Sequence, residues 1–288
     1  MSAPGFAASP DVTLDAFLGG RLTLAQFRRG HHRAGTDGVL AAMAAAPLAA
    51  EMAARSPDGA VDVLDMGAGC GVIGLAVAQA VPRARVALAE RDAQLAALCR
   101  DNASRNGLAQ RVRVAEADLL ARPAELAAAG LAPGSQDLVV TNPPWFAPGR
   151  VRPSPGDGRR AAHVFAPEDS AAEAPLAAWL RAACRLLRPG GLLLVIHRAE
   201  ALPELLASMA RRFGDIRVAP VAPRAGAPAV RVLVRAARGR RSPFVLEPAL
   251  TLHEADGRFT PLAGAVHAGA PLPWGSWGAA AGADGAGG

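Results

Sequence analysis

The chain has 288 residues, 51% of them hydrophobic, only 4% aromatic and none of them Tyr, which suits one substantial α/β domain with a core of Leu, Val and Ala. All 31 basic residues are Arg, against 25 acidic ones, and the net charge of +6 favours a polyanionic partner, unless the Arg simply solubilise the fold. Three distant cysteines without a CxxC pair, no His/Cys cluster, no secretory leader and no apolar run long enough for a bilayer lead us to expect a reducing, cytoplasmic setting with no membrane and no metal.

Residues 1–35 hold short apolar pieces around Arg-rich turns. The Ala-rich run from Asp37 to Ala54 predicts a helix that Thr36 or Asp37 can cap. Strands then alternate with helices: a strand at Val61–Met66 entering Gly67-Ala68-Gly69-Cys70-Gly71, a helix at Val72–Val81, a strand at Arg85–Glu90 and a helix at Asp92–Asn106 stopped by Gly107. A third strand, Val112–Ala117, ends at Asp118, a short helix follows near Pro123–Ala129, and a fourth strand, Asp137–Thr141, leads into Asn142-Pro143-Pro144-Trp145. Residues 146–169 form a Pro-, Gly- and Arg-rich connection too long to be an ordinary loop. A helix at Leu176–Leu187, a Pro189-Gly190-Gly191 turn, a strand at Leu192–His197, a helix at Glu200–Phe213 and strands at Ile216–Val221 and Val230–Ala236 complete the alternation. The pattern predicts an α/β fold with a mostly parallel sheet covered on both faces and an antiparallel edge, since the last two strands lack an intervening helix. Phe244–His253 reads as an added strand or hairpin, and the Ala/Gly/Pro-rich stretch 264–288 as a low-complexity, disordered tail.

Two places carry chemistry. In the first, glycines after the first predicted strand let the backbone turn tightly and approach a ligand, and Glu90 at the end of the second strand can accept from a ribose diol. That spacing also suits a nicotinamide dinucleotide, but Gly67, Gly69 and Gly71 alternate with Gly74 following, which is not a clean GxGxxG, and the acidic Asp65 before the turn is unusual for such sites. An oxidoreductase or a non-catalytic binding module of this type therefore stays open. Asp65 through Gly71, Glu90 and Asp118 resemble the cofactor motifs of class I S-adenosylmethionine methyltransferases. The resemblance implies a Rossmann-like, seven-stranded sheet and S-adenosylmethionine as cofactor. It implies that Gly67, Ala68, Gly69 and Gly71 lie against the amino-acid and ribose parts, with Asp65, immediately before the turn, also binding the cofactor. Glu90 would hold the ribose hydroxyls and Asp118 would accept from the adenine amine.

The second place is Asn142-Pro143-Pro144-Trp145, at the carboxyl end of the fourth predicted strand. The lone pair of a planar amine is delocalised, so the amine is a poor nucleophile. Two acceptors, the Asn142 side-chain carbonyl and the Pro143 backbone carbonyl, can draw its protons out of plane. The prolines stiffen the turn and remove competing N–H donors, and Trp145 can stack on a planar base. This turn resembles the Asn-Pro-Pro-aromatic signature of amino-methyltransferases, whose acceptors are adenine, guanine in ribosomal RNA or the glutamine amide of release factors. Trp145 is a variation on the commoner Tyr or Phe.

Upstream, Gly35-Thr36-Asp37-Gly38 after Arg33 is a plausible cap and anion nest. A similar run covers the cofactor in the bacterial enzymes that methylate adenine beside the anticodon of a valine tRNA, and the chain resembles that family over about Leu18 to Arg235, which implies that Gly35, Thr36, Asp37 and Asn142 also bind the cofactor. The resemblance implies adenine-N6 methylation of RNA, with ribosomal RNA guanine and release-factor glutamine as the rivals. It also divides the chain into an entrance-forming extension at 1–35, a methyltransferase domain at 36–240, the added strand or hairpin at 241–263 and the tail. Arg33, Arg150, Arg152, Arg159, Arg160 and His163 would form a phosphate-binding rim, unless the loop is merely solvated. His197 and Cys70 are expected to be structural.

Overall fold

In a computed structural model, residues 11–31, 33–144 and 174–275 are described. An antiparallel hairpin comes first, β1 (Val12–Phe17) and β2 (Leu22–Phe27), joined by a 3-10 turn, and then helix α1 (Thr36–Arg55). The alternating part follows as β3 (Val61–Met66), α2 (Val72–Ala80), β4 (Ala84–Glu90), α3 (Ala93–Arg105), β5 (Val112–Glu116), α4 (Pro123–Ala128), β6 (Gln136–Thr141), α5 (Pro175–Leu186), β7 (Leu187–Arg198), α6 (Leu202–Met209), β8 (Phe213–Arg224) and β9 (Arg231–Arg238). Two short strands, β10 (Val245–Leu246) and β11 (Leu250–His253), and helix α7 (Pro261–His267) end the described chain.

The sheet runs β10-β8-β9-β7-β6-β3-β4-β5, with β11 also on β8. The seven strands from β3 to β9 make the Rossmann-like body, and β9 alone runs antiparallel, inserted between β7 and β8. The chain winds outward from β3 through β4 to β5, then returns to the other side of β3 as β6. The switch point thus lies between β3 and β6, whose carboxyl ends open the crevice where such sheets take ligands. Strand residues alternate between two cores: Val61, Val63 and Val140 face α1 and α2, while Leu64, Met66 and Val139 face α5 and α6. Pro189-Gly190-Gly191 bulges out of β7, because pairing to β6 jumps from Gln136–Leu187 to Leu138–Leu192.

Several expectations need correction. The C-terminal strands do not form a hairpin. Both run parallel to β8, since no Gly or Asn reverses the chain between them and Pro248 only interrupts one direction of travel. Of the stretch 264–288 expected to be disordered, residues 264–267 belong to α7, Leu272 and Trp274 pack on α1, and residues 276–288 lie outside the described residues. The reason lies in α1. Pro47 has no N–H to give the Met43 carbonyl four residues back, and Leu272 N–H takes that carbonyl at 2.8 Å. Trp274 Nε1 donates to the next carbonyl, Ala44, at 3.3 Å. Contrary to the expectation of no membrane-length apolar run, the 20-residue α1 is long and apolar enough to cross a bilayer, but 67% of that stretch is buried inside the fold. Seven of its nine alanines, at positions 41, 42, 44, 45, 46, 49 and 53, are almost fully buried and let it lie close to the sheet.

The hairpin docks through polar side chains. Asn102 and Asn106, one turn apart on α3, each hold one residue of β2 by both backbone groups. Asn102 Oδ1 accepts from Ala25 N–H at 2.7 Å and its Nδ2 donates to Ala25 O at 3.0 Å. Asn106 does the same to Thr23, at 2.9 and 2.8 Å. Ala25 and Thr23 alternate along the strand, so their outward backbone groups match the rise of one helical turn.

Candidate active site

The turn after β3 needs three residues in the left-handed region, and glycine supplies each: Gly67 at φ 78°, Gly69 at 58° and Gly71 at 88°. Backbone N–H groups of Gly67 and Ala68 extend the β4 ladder by donating to Ala89 O at 3.0 and 2.9 Å, and Gly71 N–H closes the turn on Ala68 O at 2.8 Å. The glycines differ in what surrounds them. A Cβ at Gly67 would lie 3.1 Å from the Trp179 ring, one at Gly71 3.1 Å from Leu75 and Leu88, and one at Gly74 2.2 Å from Leu88. Those three allow packing. A Cβ at Gly69 would meet nothing within 4 Å, so Gly69 borders the open side of the loop.

Asp65, at the end of β3, is buried beneath this turn. Its Oδ2 accepts from Gly74 N–H at 2.8 Å, and its Oδ1 has no partner. Burial raises its pKa to about 7, the Gly74 N–H opposing the shift and Glu90 adding to it. Glu90 caps the end of β4: Oε2 accepts from Gly69 N–H at 2.9 Å and Oε1 from Arg91 and Asp92 N–H at 2.8 and 3.0 Å. Asp118, exposed after β5, accepts from Leu120 N–H at 2.9 Å.

Asn142 follows β6 directly, and β6 lies beside β3 with Thr141 paired to Met66. The diproline corner and the glycine turn therefore leave adjacent strands at the same end of the sheet. A side-chain bridge fixes them to each other. Thr141 Oγ1 donates to Met66 O at 2.7 Å and accepts from Trp179 Nε1 at 3.1 Å, while the Trp179 ring lies against Gly67. Asn142 is half-buried, Pro143 buried and Pro144 exposed. Among the described residues the Asn142 amide has no hydrogen-bond partner. Trp145, Arg150, Arg152, Arg159, Arg160 and His163 lie outside the described residues.

The Gly35–Gly38 run also arrives here. A Cβ at Gly38 would approach Val72 at the start of α2 to 2.6 Å, so glycine lets α1 begin against the glycine turn. The cap expected from Thr36 or Asp37 is not made. Extended Gly35 occupies the cap position, Asp37 pairs with Arg231 Nε at 2.8 Å, and Thr36 Oγ1 lies 3.3 Å from His267 Nε2. Arg33, expected on the phosphate rim, is engaged within the protein: Nη2 pairs with Asp15 at 2.7 Å, and Nη1 donates to Thr13 Oγ1 and Phe27 O. The Cys70 thiol is pushed up to about 11 by burial, which suits packing rather than nucleophilic work. Buried His197 is shifted down by desolvation and by Arg198 and Arg231, and its Nδ1 accepts from Arg198 N–H at 2.8 Å.

Asn102 and Trp179 were not singled out by the sequence. Besides holding β2, Asn102 Nδ2 donates to Cys70 O at 2.9 Å and so ties the hairpin to the glycine turn. The signal for it was a polar pair one turn apart on a helix face; Trp179 carried only the signal of one aromatic on an amphipathic helix.

The family model described as methyltransferase small domain matches residues 43–154. The chain is 33% identical over 246 residues to a tRNA1(Val) (adenine(37)-N6)-methyltransferase of Aeromonas hydrophila, covering 83% of this chain and 91% of that protein. It is 31% identical over 159 residues to a release factor glutamine methyltransferase of Chlorobaculum tepidum, covering 54% of this chain and 52% of the relative. In structure it is similar to a predicted O-methyltransferase of Agrobacterium tumefaciens, with a TM-score of 0.65 and 27% identity over 82% of this chain and 98% of that one. With this fold and this full-length similarity, the chain is an S-adenosylmethionine-dependent methyltransferase and belongs to the small-domain family that contains the tRNA1(Val) (adenine(37)-N6)-methyltransferases.

Proposed function

We propose that the enzyme methylates the exocyclic amine of an adenine in tRNA, with Asn142 and Pro143 activating the amine and the Gly67–Gly71 turn holding the cofactor. The observation that carries this reading is the register of β3 on β6, which sets the diproline corner beside the glycine turn. The residues suit the cofactor: Gly69 leaves open space, Glu90 offers carboxylate oxygens beside it, and Asp65 places a buried acidic group under a cationic ligand. Asp118 is assigned to accept from the adenine amine, and Gly35, Thr36 and Asp37 to cover the site from α1. When bound, S-adenosylmethionine supplies an electrophilic methyl on a sulfonium. Asn142 Oδ1 and Pro143 O would accept hydrogen bonds from the two amine N–H groups and localise the lone pair, and the surplus proton of the methylated amine leaves to solvent. The stiff turn fixes that orientation before reaction, so positioning and electrostatics supply most of the acceleration. Arg150, Arg152, Arg159, Arg160 and His163 follow the corner in sequence and are assigned to phosphate contacts, and Trp145 to stacking. Arg33 acts through the hairpin rather than on RNA.

The rival acceptor is a protein glutamine amide, on the strength of the half-length release-factor relative. Methyl transfer from labelled cofactor to bulk tRNA and to release factor separates the two. Label in tRNA, recovered as N6-methyladenosine after digestion, is expected; label only in the release factor refutes the RNA assignment.

Two results test the cofactor side. Gly69→Ala puts a methyl where no protein atom stands, so the fold should lose only about 1–2 kcal/mol for the left-handed backbone. Affinity for S-adenosylhomocysteine should fall at least about tenfold, beyond that strain; unchanged affinity by calorimetry would remove Gly69 from the cradle. The second concerns pH. Native Asp65 keeps its proton up to about 7 against 3.8 in the ordinary carboxyl, so its burial costs stability progressively from pH 4 to 7 and no more above that. A cationic ligand needs the ionised form. Affinity for S-adenosylmethionine should therefore climb by up to about tenfold per pH unit below 7 and level off above it, with Asp65→Asn flat. A wild-type profile as flat as the variant's would show that Asp65 does not face the cation.

A further inference from the structure

Beyond the diproline corner, a second group of rings stands at the carboxyl end of the sheet. β11 runs parallel to β8, and His253 is paired with Arg224 at the end of both strands. The turn 254–258, closed by Glu254 N–H on Arg258 O at 2.8 Å, returns the chain so that Phe259 bridges back to His253. His253 stacks on Phe259 with centroids 4.9 Å apart at 18°, and Phe259 on His267 at 4.2 Å and 22°. The inner end of this column is fixed: His267 Nδ1 lies 2.8 Å from Ala263 O and Nε2 reaches Thr36, one residue from Gly35. Phe259 lies between the two histidines and is 41% exposed along its edge, and the outer ring of the column is the half-buried His253. Three stacked rings at the surface, starting at the segment placed over the cofactor, are not needed for the core.

We propose that the His253–Phe259–His267 column is a stacking site for an unpaired nucleobase of the substrate RNA, flanking the adenine that is methylated. The proposal rests on the RNA reading above. Its chemistry is stacking, not phosphate binding, because the surrounding charges cancel. Arg258 pairs with Asp256 at 2.6 Å and Arg231 with Asp37, and the residues adjoining His253 in register and in sequence, Arg224 and Glu254, carry opposite charges. Any base offers a π-face, so the site would hold the strand without reading its sequence. The target adenine must be splayed from its neighbours to reach Asn142, and a platform for the adjoining base would lower the cost of breaking that stack.

The test is fluorescence anisotropy of a labelled tRNA anticodon stem–loop with wild type, Phe259→Leu and His253→Ala across a range of salt concentrations. Leucine keeps the apolar contacts and removes the ring, and melting temperature and S-adenosylhomocysteine affinity check that each variant is folded. Affinity for RNA is expected to fall about tenfold in each variant at every salt concentration, with an unchanged slope of log K against log salt. In turnover, the loss should appear in KM for RNA and not in KM for S-adenosylmethionine. Making the RNA abasic at the flanking nucleotide should weaken wild type and leave Phe259→Leu nearly unaffected. Wild-type-like affinity in both variants, or a change in slope alone, overturns the column while leaving RNA methylation in place. Failure of wild type to bind and methylate any RNA overturns both.

Discussion

Asn142→Ala is expected to lower kcat for methyl transfer by about two to three orders of magnitude while S-adenosylhomocysteine binds within about threefold of wild type. The amide makes no hydrogen bond to another described residue, so its removal leaves none of them unpaired. The β3–β6 register and the Thr141 bridge do not pass through it. What is lost is one of two acceptors aimed at the amine, and with it the localised lone pair. Asn142→Asp is the informative partner. It keeps an acceptor oxygen in place but adds a charge and removes the amide donor, so partial activity is expected. Single-turnover rates with saturating cofactor read the chemical step, and calorimetry reads cofactor binding. Equal losses in both would show that Asn142 shapes the cofactor pocket and does not act on the acceptor.

The largest stability effect is expected at Asn102. Asn102→Ala leaves Ala25 N–H, Ala25 O and Cys70 O without their partner in a site closed to solvent. At about 1–3 kcal/mol for an unsatisfied buried group, a loss of about 3–5 kcal/mol is reasonable, and the melting temperature should drop by about 10 °C. Asn106→Ala also frees two β2 groups, but at a half-buried position, and should cost less. The Asn102 variant should also bind S-adenosylhomocysteine more weakly, because Cys70 lies inside the glycine turn. A thermal melt within 2 °C of wild type would show that water replaces the amide and that the hairpin is held by its apolar face alone.

Much of this was legible in the sequence. Period-two apolar runs alternating with helical ones marked β3 through β9 within a residue or two at most ends, because each run answers to its own local pattern. The glycine turn and Asn142 were visible because tight turns restrict residue type wherever they occur. The rest depends on contacts between distant segments. Asn102 meets Ala25 across 77 positions and Trp179 meets Thr141 across 38, and neither carries a local trace. Arg33 was misread for the same reason: a surface arginine and one bound to Asp15 are alike until the hairpin closes. The C-terminal segment was judged on its Ala, Gly and Pro content, whereas its order depends on the carbonyl that Pro47 leaves free in α1.

The hydroxyl of Thr141 has a wider implication. Because it clamps the ends of β3 and β6, neither half of the proposed reaction centre can drift alone, and the chemistry proposed there is insulated from changes elsewhere in the chain. Client choice is then left to whatever is hung around that fixed kernel, the hairpin and the strands laid on β8 among the described residues. A lineage could trade one macromolecule for another by rebuilding those attachments while the methyl-transferring centre stayed as it is.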